Sequence, residues 1–183
     1  MNEPSPEENK VIESIGQENT QEKDPYSGIF FEVDVLLEKA KAACIERLQP
    51  LTIREPKEGE AFACVEVFNY EDFGLNYNTF SKINDEVDIN FEMFGDTTAI
   101  PGLQEHIEEH LEGKSTSQEQ NEAFEEKLRE RLFDFFSDSW KKAGGLEAKL
   151  PTYFCFEKEV YDLMDFQTGE VFSQQELFSK LSK

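Results

Sequence analysis

Between residues 121 and 142 apolar side chains return every three or four positions: Phe124, Leu128, Leu132, Phe135, Phe136 and Trp140. That spacing lines them along one face and predicts a long amphipathic helix. Asn121 or Ser117 can cap its start. Glu122, Glu125 and Glu126 suit the positive end of the helix dipole, and Lys141 and Lys142 the negative end. Gly144 supplies a left-handed stop, and Gly145 extends the break. After Pro151 the pattern changes to strand type. Tyr153-Phe154-Cys155-Phe156 reads as a strand, Glu157-Lys158-Glu159 as a turn, and residues 160–164 as the returning strand. Thr168-Gly169 marks a further turn before Val171 and Phe172. Ser173 with Glu176 forms a capping box that opens a last helix carrying Leu177, Phe178 and Leu181.

Upstream, Val33, Leu36, Leu37, Ala40, Cys44 and Leu48 predict a helix over 31–48, stopped by Pro50. Residues 61–68 are apolar on both alternating faces, the pattern of a central strand covered above and below. Residues 75–80 form a weaker strand pattern. Residues 87–93 alternate strictly, with Val87, Ile89, Phe91 and Met93 inward and an acidic face in water. Leu103, Ile107 and Leu111 predict a short helix over 103–112, and residues 113–120 a polar linker. This order implies an α+β fold: a mostly antiparallel sheet of about four to five strands packed with helices, one of them long and amphipathic. Residues 1–27 carry only Val11, Ile12 and Ile15 as aliphatics and read as a disordered acidic tail. Residues 28–183 read as one α+β domain.

Charge adds the strongest functional pointer. The chain has a net charge of −22. Residues 1–27 hold seven acids and two lysines, a net −5, so −17 remains on the other residues. A body this acidic repels nucleic acid and anionic membranes and attracts basic partners through long-range steering. Cys44, Cys64 and Cys155 are scattered, with no CxxC pair, and are expected to be buried reduced thiols. The N-terminus lacks an apolar core like that of a signal peptide, and no apolar run reaches membrane-spanning length. The expectation is a soluble cytoplasmic protein with no membrane and no nucleic-acid partner.

Motifs for catalysis give little. His106-Ile107-Glu108-Glu109-His110 fits the inverted zinc-peptidase pattern H-x-x-E-H, with two histidines on one helix face and Glu109 as a base. The same residues also suit the solvated side of a helix that buries Leu103, Ile107 and Leu111. Asp72-Phe73-Gly74 spells a kinase triplet without the rest of a kinase. Gly113-Lys114-Ser115 lacks the first glycine of a P-loop. Asp88, Asn90 and Glu92 lack the glycine and final glutamate of a calcium loop. With two histidines, both on one short helix, general-base chemistry has few candidates. No enzyme activity, cofactor or metal is therefore expected.

The acids instead form two candidate binding faces. Glu71, Asp72, Asp85, Glu86, Asp88, Glu92 and Asp96 cluster around the alternating strand, and Glu105, Glu108, Glu109 and Glu112 along the short helix. Tyr70, Phe73 or Tyr77, expected to be exposed, would supply aromatic anchors. In its acidic strand face and its aromatic hairpin ending in Val160-Tyr161-Asp162-Leu163, the region 31–183 resembles in type the small acidic immunity proteins of bacterial toxin systems. The resemblance implies a non-enzymatic inhibitor that neutralises a basic partner such as a toxin domain. Two other readings are a DNA mimic that blocks nucleic-acid-binding proteins and a small zinc hydrolase using His106, Glu109 and His110.

Overall fold

A computed structural model of the chain describes residue 26 and residues 28–68, 73–83, 86–93, 98–156 and 162–181. Its centre is a six-stranded mixed sheet. The strands are β1 (Glu60–Val67), β2 (Leu75–Ile83), β3 (Glu86–Met93), β4 (Thr152–Phe156), β5 (Leu163–Asp165) and β6 (Val171–Phe172), in the order β3-β2-β1-β4-β5-β6. Every neighbouring pair is antiparallel except β1 with β4, which run parallel. The fold is α+β with a mostly antiparallel sheet, as the pattern implied. The count rises to six because β6, at two residues, is too short for a hydrophobic period to reveal.

The alternation of β1 explains the layering. Ala63, Val65 and Val67 face the main core, which they share with Leu75, Tyr77, Phe154 and Phe156. Phe62 and Cys64 face a second cluster with Phe80, Tyr153, Cys155 and Leu163. The first face carries helices α1 (Ile29–Thr52), α2 (Leu103–Leu111) and α3 (Gln118–Lys142). The second carries α4 (Gln174–Leu181), through Leu177 and Phe178. Apolar residues on both faces of β1 are what a strand between two helical layers requires. Among them Glu66 is buried and accepts a hydrogen bond from Asn78 Nδ2 at 2.9 Å.

The long helix starts where its chemistry allows. Ser117 Oγ accepts from the Gln120 backbone N–H at 3.2 Å, and Gln120 Oε1 accepts from the Ser117 N–H at 2.9 Å, a complete capping box. Gly144, at φ 94°, follows the C-terminus, as expected. Gly145 serves a different need: a Cβ there would lie 2.2 Å from the buried Trp140 indole. The first helix departs from expectation. It runs from Ile29 to Thr52 with Pro50 inside it. Proline in the last turn costs one hydrogen bond and leaves little helix downstream to disrupt. The Thr52 hydroxyl donates to the Ala143 carbonyl at 3.0 Å and so ties the ends of α1 and α3 together.

The core also takes in Tyr26, two residues before the expected start of the domain. It is buried, and it stacks on Phe124 with ring centroids 4.3 Å apart. No helix among the described residues is long and apolar enough to cross a membrane.

Candidate functional site

Of the strand-centred acids, Glu71, Asp72, Asp85 and Asp96 lie outside the described residues, as does Tyr70. Glu86, Asp88 and Glu92 fall on β3, the edge strand, opposite Ile83, Ser81 and Tyr77 of β2. Asp88 is exposed and Ile89 packs on the second cluster. The expected aromatic anchors need correction. Phe73 and Tyr77 are 5% and 0% exposed and belong to the main core. Tyr77 sits on an inner strand, and the α1–α3 layer covers the face it occupies. Phe73 holds a backbone φ of 57°, unusual for a residue with a side chain, and its buried ring holds it there.

The second set of acids is arranged as expected and has an unforeseen neighbour. On α2, Leu103 and Ile107 are buried, while Glu105 and Glu108, Glu109 and the following Glu112 are exposed. The nine residues of α2 include no lysine or arginine. Along its outer side runs the first part of α1, where Phe31 is 75% and Val35 38% exposed. They are four residues apart and therefore share a helix face. Phe31, Glu32, Val35, Leu36, Glu105 and Glu109 line one groove of about 530 Å³ with His106 and Lys39. The His106 Nε2 atom lies 3.0 Å from Glu32 Oε2 of the facing helix, without the geometry of a hydrogen bond.

Several cations elsewhere are engaged by acids of their own. Asp138 holds Lys41 at 2.6 Å and Lys142 at 2.9 Å, and those ammonium groups lower its carboxyl below the ordinary range. Arg131 Nε donates to Asp34 Oδ1 at 3.1 Å. Lys149 pairs with Glu55. The α1–α2 groove is a place where exposed apolar surface and a run of glutamates meet.

Groups suited to covalent or metal chemistry are placed differently. His106 and His110 have ring centroids 6.5 Å apart. Among the described residues no three His, Cys, Asp or Glu side chains gather to hold a metal ion. All three cysteines are free and buried. Burial pushes the Cys44 thiol up to about 12 and the Cys64 thiol well above its ordinary value, the second with help from Cys155, whose sulfur lies 2.8 Å away. Thiols so shifted stay protonated at neutral pH, which suits packing.

Sequence reasoning missed Phe31 and Val35, although a signal was present. The buried stripe of α1 is Ile29, Val33, Leu37, Ala40, Cys44 and Leu48. Phe31 and Val35 each stand two positions from Val33, about 200° around the helix, and so on the far side. A large apolar pair off the stripe marks surface left for something else. Comparison with known proteins adds no further assignment: no family model, curated protein or solved structure matches the chain.

Proposed function

We propose that this is a non-enzymatic acidic binding protein that neutralises a basic protein partner, in the manner of an immunity protein facing a toxin. Its docking face is the groove between the first turns of α1 and the outer side of α2. The observation that carries the reading is Phe31, 75% exposed and rimmed by Glu32, Glu105 and Glu109. An exposed aromatic ring beside an aliphatic neighbour is the usual anchor of an interface. Three carboxylates against Lys39 leave the rim net negative, and a net negative rim steers a basic partner. The acids of β3 extend the field that draws the partner in, and Asp88 on that strand is open to solvent.

The test is a pull-down from source-cell lysate at low and high salt, with the wild-type chain, Phe31→Ser and Glu105→Lys/Glu109→Lys compared. Recovery of one basic protein in stoichiometric amount, lost with Phe31→Ser and weakened by charge reversal, is expected. Recovery of no basic partner, or of one indifferent to both variants, would overturn the reading.

A further inference from the structure

We propose that the cavity at the carboxyl ends of β1 and β4 is a binding site for a small amphipathic organic cation. Its apolar body would fill the cavity, and its ammonium group would rest beside Glu125. The inference is independent of the partner-binding face. Gln104, Ile107 and Leu111 of α2 line this cavity, whereas Glu105 and Glu109, on the other side of that helix, line the groove.

The place follows from the topology. β1 and β4 are the one parallel pair among the described strands, and their registers end together at Val67 and Phe156. From β1 the sheet continues outward through β2 and β3, and from β4 it continues the opposite way through β5 and β6. Val67 and Phe156 both line this cavity, and α2 and α3 supply its walls.

The size and lining describe the ligand's body. The volume is about 510 Å³, inside the range of roughly 300–1,000 Å³ typical of small-molecule sites. Its floor is apolar and includes Phe73, Phe124, Leu128, Leu132 and Phe156, all buried in the folded chain. Its polar members, among them Glu125 and Arg129, are exposed or half-buried and so belong to the mouth. A floor without charge and a mouth with charge fit a molecule that is apolar along its body and polar at one end.

The sign of that polar end is set by the neighbouring surface. A shallow hollow shares Glu125, Arg129 and Phe156 with the cavity and adds Glu122, Glu126 and Glu130, which makes four carboxylates against one guanidinium among the described residues. An anionic head would meet that excess at close range, and a cationic head would relieve it. The Arg129 guanidinium lies over the Phe156 ring, 5.1 Å from its centroid, so that ring face already holds a cation.

The experiment is isothermal titration calorimetry of the full chain with n-octylammonium and with octanoate, probes of equal chain length and opposite charge. Saturable one-to-one binding of n-octylammonium is expected, with octanoate weaker by about tenfold or more. Glu125→Lys, an exposed change that leaves the core intact, should abolish that preference. Leu111→Trp, placed to fill the mouth, should remove binding of both probes while far-ultraviolet circular dichroism and the cooperativity of thermal unfolding stay native. Octanoate bound as well as n-octylammonium, or no saturable heat with either, would overturn the proposal. So would n-octylammonium binding that survives both variants, because it would then lie on the acidic surface at large.

Discussion

Glu60, at the first position of β1, accepts two hydrogen bonds from Arg54, each 2.7 Å, and a third from the Lys57 backbone N–H at 2.7 Å. The Glu60 side chain is 3% exposed and that of Arg54 14%, so little water screens the pair. The arginine, ahead of the backbone donor, holds the Glu60 carboxyl down to about 2 from an ordinary 4.5. A carboxyl whose folded value lies below its unfolded value stabilises the fold above the unfolded value. That contribution is lost as pH falls through the folded one. The window is therefore pH 4.5 down to about 2, and the full shift corresponds to on the order of 3 kcal/mol. Arg54→Ala should reduce the acid limb of stability across that window and destabilise the fold at pH 7 by about 1–3 kcal/mol, because the Lys57 N–H still holds the carboxylate. Urea unfolding of both proteins between pH 2 and 7 measures this, and parallel acid limbs would refute it. A second residue-scale expectation concerns Gly145. Its Cβ would strike the Trp140 ring, which is 2% exposed and stacked on Phe166 at 5.2 Å. Gly145→Ala should cost about 1–3 kcal/mol, because a packed indole cannot step aside. Equal thermal midpoints for variant and wild type would show that the ring has room.

At the scale of elements, α3 was the most legible part of the chain, because cap, stripe and stop agree locally. Its reciprocal cap gives a direct expectation: Ser117→Ala should lower stability by about 1 kcal/mol, and Ser117→Asp should retain most of it. Chemical denaturation of the two variants tests this, and an undiminished midpoint for the alanine variant would mean that water serves the freed Gln120 N–H. Local agreement also explains why β1 and β3 were readable: one is apolar on both faces and the other alternates. What local pattern could not supply was anything decided by distant residues. The parallel pairing of β1 with β4 joins Ala63 to Thr152, far along the chain, and no short-range signal encodes it. The burial of Phe73 and Tyr77 depends on a helical layer contributed partly by later residues. The candidate groove shows the same division. Its acids on α2 were legible as the wet side of a helix, but their meeting with Phe31 requires α1 and α2 to pack together. The cavity at the strand ends was not legible, because its lining comes from strands and helices distant in sequence.

For the whole molecule the governing quantity is charge. The chain carries 40 acidic and 18 basic side chains, and several of the latter are held in ion pairs of their own. The glutamates of α2 share nine residues with no lysine or arginine. Like charges at that density repel one another in the folded state more than in an expanded chain, and the repulsion acts against compactness. Salt should relieve it. The reach of a charge falls from about 30 Å at 0.01 M to about 3 Å at 1 M, which removes repulsion between helices while leaving buried contacts such as Arg54–Glu60 largely in place. The thermal midpoint should therefore rise by several degrees between about 0.01 M and 0.5 M sodium chloride. Glu108→Lys/Glu112→Lys should raise the low-salt midpoint and reduce its salt dependence. Calorimetry at a series of salt concentrations decides between this and the alternative. A midpoint that is flat or falls with salt would mean that ion pairs, and not repulsion, dominate the surface. A rising midpoint has a functional consequence, because a basic partner seated on α2 would supply the same relief locally, and association would weaken as salt supplies it instead. Stability and binding should then respond to ionic strength in opposite directions, which is the behaviour of an acidic surface kept for a cationic partner.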